Sequence, residues 1–239
     1  MKSIIKALVV TLTIAYGMNA IAQDRTAQQR IAELAAAIQE LNAPQQPNSH
    51  IEHPGWHNPD VRAKLKAIIE KYPDTDEALT AQLWLAIAEL EVGQAASRAK
   101  KIENMTAVAA AFAQVIKTSP DSWQAKVAHI GRSAALFGAK QWDDFRAEAN
   151  NVLARITAFQ TESDPGYLDF LRQHKTNNAE IEPELRWMMI VAAACEAKTT
   201  EAVNIAEALQ SQFPEWSARR KVAGTIELLK SGKPAFGCW

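Results

Sequence analysis

Glu70-Lys71-Tyr72-Pro73-Asp74, Lys117-Thr118-Ser119-Pro120-Asp121 and Ser211-Gln212-Phe213-Pro214-Glu215 share one punctuation: a helical pattern runs into a proline, and an acidic residue opens the next pattern. The prolines at 73, 120 and 214 lie 47 and 94 residues apart, one and two lengths of a single period. Proline has no amide hydrogen and clashes with the preceding turn, so it stops one helix, while its fixed φ suits the first turn of the next. A proline-acidic pair at a fixed interval therefore reads as repeated helix-turn-helix units. It predicts an architecture and says nothing by itself about chemistry.

Between these marks, from Arg25 to Gly232, the chain is rich in alanine, poor in glycine, and places apolar residues three and four apart. Alternating β-branched runs bounded by hairpin turns are absent, so the reading is all-α, with about nine helices. A first helix over 25–41 puts Ile31, Leu34, Ile38 and Leu41 on one face, and a proline-broken loop follows from Ala43 to Pro59. Further helices are expected over 60–72, 76–92, 97–117, 122–137, 142–159, 182–197, 201–212 and 215–230. An irregular insert over 160–178 carries a short helix around Tyr167 to Gln173. Gly93 is expected to end its helix as a left-handed stop, and Gly138-Ala139-Lys140 to form a turn.

Three organisational expectations follow: a signal peptide over 1–22, an N-terminal helix with a His/Pro-rich loop over 23–58, and a helical-repeat domain over 59–239. Lys2 and Lys6 precede an apolar stretch from Ala7 to Ala15, and Ala20-Ile21-Ala22 offers small residues at a cleavage point, the pattern of a secretory signal. That stretch is short of the roughly 20 residues of a membrane span, and no later segment supplies one, so no membrane span is expected in the mature chain. Without Lys2 and Lys6, 24 basic residues stand against 27 acidic, a net charge of −3, which disfavours nucleic acid as a partner. Export places the two cysteines in an oxidising compartment, where Cys195, near a helix end, and Cys238, the penultimate residue, are expected to pair. Such a bridge would hold down the C-terminal tail and contribute about 4 kcal/mol by chain-entropy reasoning.

The segments after each proline align. Tyr72-Pro73-Asp74-Thr75 is followed by Glu77-Ala78, Ala81, Trp84-Leu85-Ala86 and Gly93; Pro120-Asp121-Ser122 by Ala125, Ala128, Gly131, Ala135 and Gly138; Phe213-Pro214-Glu215 by Ala218, Val222-Ala223-Gly224 and Gly232. Over residues 59 to 232 this resembles tetratricopeptide-repeat (TPR) proteins, especially exported bacterial ones with a Tyr-Pro-Asp-Ser phrase between repeats. The family repeat is about 34 residues, so a 47-residue period means longer helices or turns and leaves another α-solenoid open. The resemblance implies antiparallel helix pairs stacked as a TPR-like α-solenoid, with a concave groove for a protein or peptide. The family has no fixed binding motif, so no groove residue is carried over.

His50, His53 and His57, with Glu52, form the one cluster with metal-ligand spacing; against that reading stands a plain polar loop, since nothing completes a four-ligand set. Of seven tryptophans, most are expected to pack between helices, with Trp123 and Trp216 placed to staple adjacent hairpins across their prolines; Trp56 and Trp239, in irregular segments, have the alternative of serving as exposed anchors for a partner. Asp143-Asp144 and Glu180, Glu182 and Glu184 are the densest acidic groups; paired carboxylates can do acid-base chemistry, but Asp143 and Asp144 are adjacent and read as charge near a helix start, and Arg219-Arg220-Lys221 reads as a solvated helix face. A glycine-flanked serine, a glycine-rich phosphate loop and a helical His-Glu-x-x-His are all missing, so neither an enzyme nor a cofactor is expected. The functional expectation is a periplasmic or secreted scaffold that binds a protein or peptide in the cell envelope. The alternatives are a metal or small-ligand protein using the histidine loop, and a self-associating subunit of an envelope assembly.

Overall fold

A computed structural model describes residues 26–42, 54–94, 98–173 and 177–237. The signal segment, most of the histidine-proline loop and the last two residues lie outside them. The described residues form thirteen helices and no strand. In chain order these are α1 (26–41), α2 (Pro54–His57), α3 (Pro59–Lys71), α4 (Asp76–Gln94), α5 (Arg98–Thr118), α6 (Trp123–Gly138), α7 (Trp142–Ala154), α8 (Ile156–Gln160), α9 (Pro165–Gln173), α10 (Asn178–Cys195), α11 (Thr199–Gln212), α12 (Pro214–Arg219) and α13 (Val222–Lys230). No described helix is long and apolar enough to cross a membrane.

The chain divides into two compact units, with the boundary inside α4 between Leu85 and Ala86. In the N-terminal unit, Leu34, Ala37 and Leu41 of α1 are buried with Val61, Leu65 and Ile68 of α3 and with Leu79, Leu83 and Trp84 of α4. Ile31 does not join them and is 57% exposed: the inward stripe of α1 passes instead through Arg30, which pairs with Glu77 at 3.1 Å. Lys64 pairs with Glu40 at 2.6 Å and Lys71 with Glu33 at 2.8 Å, so α1 and α3 are also joined along their rims.

In the C-terminal unit, α5 packs along α6, α6 along α7, and α10 along α11. α10 also touches α6, α7 and α8, and every residue from Glu180 to Cys195 is at least partly buried. Helix α5 meets its neighbours through methionine and phenylalanine set against glycine. A Cβ on Gly93 would lie 2.1 Å from Met105 Cε, one on Gly138 2.8 Å from Met105 Cγ, and one on Gly131 2.4 Å from Phe112 Cζ. Met105 and Phe112 meet Gly138 and Gly131 in opposite order along the two helices. Gly93 is thus no left-handed stop: it lies inside α4, and its missing side chain is what lets Met105 approach.

The left-handed stops are elsewhere and mostly not glycine. Lys140 (φ 58), Ala197 (φ 60) and Gly232 (φ 71) each follow a helix end with the same pair of bonds. After α6, Lys140 N–H donates to Phe137 O and Gln141 N–H to Leu136 O, both at 3.0 Å. After α10, Ala197 donates to Ala194 and Lys198 to Ala193; after α13, Gly232 donates to Leu229 and Lys233 to Leu228. These are Schellman motifs, in which a left-handed residue turns two amides back onto otherwise orphaned carbonyls.

The three proline marks are not equivalent. Pro73 and Pro120 sit in turns, with Asp74 left-handed (φ 61) after the first and Ser122 capping α6 after the second, its Oγ accepting from Ala125 N–H at 3.1 Å. Pro214 is itself the first residue of α12. Two expected helices are each broken in two. That over 142–159 ends at Arg155 and restarts as α8, whose Phe159 is fully buried, and that over 215–230 breaks at Lys221, which is left-handed at φ 55. α10 starts earlier than its proline suggests, because the Asn177 carboxamide accepts from Ala179 N–H at 3.0 Å and nucleates a turn ahead of Pro183.

Candidate functional site

Two features of the C-terminal unit gather polar or accessible groups. The first is a cleft of about 220 Å³ between α4 and α5. Glu89, Val92 and Gly93 face it from α4, and Asn104, Ala107, Val108 and Ala111 from α5. Spacings of three, four and seven put each set on one helix face. Gly93 and Val108 are buried and form the floor; Ala107 and Ala111 are exposed and form a low wall. Side chains this short leave a trough where leucines would have closed the seam. Chemically the cleft offers an apolar seat with one carboxylate and one carboxamide beside it, suited to receiving one or two side chains of a partner. It is small for a drug-sized ligand.

The second is a charge cluster between α6 and α7. Glu148 is 5% exposed, and one carboxylate oxygen meets His129 Nδ1 at 2.5 Å while the other accepts from Arg132. His129 is 7% exposed, and the Ser133 hydroxyl donates to its backbone carbonyl at 3.0 Å. A buried carboxylate is tolerable only when paired in this way, so the cluster fastens α6 to α7. A second fastening is Arg146 of α7, which ion-pairs with Glu196 after α10 and lies 3.8 Å from Glu201 of α11.

The insert between α8 and α10 is docked rather than loose. Lys126 of α6 pairs with Glu162, and a Cβ on Gly166 would lie 2.7 Å from the ring nitrogen of Trp123. Trp123 also stands 6.4 Å from Phe170. Tyr167 is fully buried and donates its hydroxyl to Asn178 Oδ1 at 2.7 Å; burial pushes its phenol up to about 12.

Of the residues singled out in the sequence, His50, His53, Cys238 and Trp239 lie outside the described residues. His57 is exposed at the end of α2, and no group of three His, Cys, Asp or Glu able to hold a metal occurs among the described residues. Trp56 is not an exposed anchor: it is 3% exposed, and its indole N–H donates to Asn42 Oδ1 at 3.3 Å. Buried indole is stabilised by area and by a partner for its N–H, and α2 supplies the first by turning Trp56 inward. Cys195 is the last residue of α10.

Arg219, Arg220 and Lys221 are solvent-exposed as expected, but they do not lie within one helix. They lie at the α12–α13 junction, where Arg219 and Arg220 pair with Glu180 and Glu184 of α10, and Arg220 stands 5.4 Å over the Trp216 ring. Glu180 and Glu184 are thus the partners of the two arginines, while Glu182 pairs with Arg186 on its own helix. Trp216 meets Trp187 of α10 at 6.2 Å, and Trp187 meets Phe236 of the tail at 5.5 Å. The cleft and the His129–Glu148 pair escaped the sequence reading. The signal for the cleft was the run from Ala107 to Ala111, in which one face of a long helix carries no large side chain.

No protein-family model, curated protein or solved structure matches this chain.

Proposed function

We propose that this chain is an exported, TPR-like helical-repeat scaffold, with antiparallel helix pairs stacked as an α-solenoid, that binds a protein or peptide partner in the cell envelope. The observation that carries the reading is the α4–α5 cleft, a trough floored by Gly93 and Val108 that helix packing leaves unfilled. Such a seat takes an inserted partner side chain, with affinity coming from a preformed surface rather than from bond-making chemistry. The lysine-led apolar leader supports export to the periplasm or the medium. A Cys195–Cys238 disulfide belongs to the same reading. It is supported by the return of the tail onto α10 through Phe236 and by the lack of a free cysteine among the described residues. Peptide mapping without reductant should recover the two cysteine peptides as one species.

The test is site-specific photo-crosslinking in cells from two exposed positions, Ala107 in the cleft and Ala223 on α13. A discrete partner captured from position 107, absent from 223 and lost when Ala111→Trp is added to fill the trough, is the expected result. Equal capture at both positions, or capture from 107 that survives Ala111→Trp, would overturn the cleft as the binding surface.

A further inference from the structure

We draw no further inference here: the strongest candidate outside the cleft, the buried His129–Glu148–Arg132 cluster between α6 and α7, carries nothing more because its members are spent on one another and belong to the hairpin packing already described.

Discussion

The ring of Phe112 lies against the backbone of Gly131, so closely that a Cβ at 131 would stand 2.4 Å from Cζ and 2.6 Å from Cε1. Two helix effects oppose each other at such a position. Alanine is the better helix former by about 1 kcal/mol, while overpacking a filled core costs about 1–3 kcal/mol. Phe112 is fully buried and cannot swing aside, so the steric term wins. Gly131→Ala should lower stability by about 1–2 kcal/mol in urea unfolding. Gly224 in α13 has nothing within 4 Å of its would-be Cβ, and Gly224→Ala should raise stability by about 0.5–1 kcal/mol. The same sign for both variants would show that the Phe112 contact does not govern the seam.

Ala197 is left-handed and exposed at the turn after α10, although only glycine takes that conformation freely. Left-handed backbone costs an ordinary residue about 1–2 kcal/mol, whereas glycine loses about 0.5–1 kcal/mol through its freedom in the unfolded chain. Ala197→Gly should therefore raise the thermal midpoint by a few degrees, and Ala197→Val should lower it. A neutral or destabilising Ala197→Gly would remove the Schellman account of this turn.

Glu148 holds His129 and Arg132 at once, and removing it leaves a buried imidazole and a guanidinium without their carboxylate. Loss of one partner from a buried ion pair costs about 3 kcal/mol. Glu148→Ala should show that loss in denaturant unfolding, and a double-mutant cycle with His129→Ala should give a coupling well outside additive error. Additive effects would mean that the two side chains are merely adjacent.

Burial raises the Tyr167 phenol from its ordinary 10.0 to about 12. The folded chain therefore keeps a proton that the unfolded chain releases. The stabilisation is complete below pH 10 and is lost as the pH climbs toward 12. Unfolding free energy measured across this range should fall less steeply in Tyr167→Phe than in the parent. Parallel curves would indicate that the phenol reaches water in the folded state.

Helix was legible throughout because its determinants are local: alanine content, three-four apolar spacing and proline stops act within a few residues of themselves. Much of the helix inventory follows from them. What the local pattern misplaced were the interruptions. Nothing in Trp142 to Phe159 announces a break at Arg155, or in Glu215 to Lys230 one at Lys221, because such breaks are settled by what the following segment packs against. Gly93 looks like a stop in one dimension and proves to be a close approach to Met105, while Gly138, which does end α6, is a second close approach to the same methionine.

The candidate site was less legible for the same reason. An alanine run on α5 has no meaning until α4 lies beside it with Gly93 and Val92 facing the same space. Likewise His129 and Glu148, 19 residues apart, become a pair only when α6 and α7 fold onto each other. By itself the sequence determined the all-helical class and the positions of most helices, both consequences of short-range backbone and side-chain preference. The tertiary structure alone decided that Trp56 is core, that Arg219 and Arg220 answer Glu180 and Glu184, and that small side chains leave a trough between α4 and α5. Burial, pairing and vacancy are properties of two surfaces brought together, and no single stretch of chain carries them.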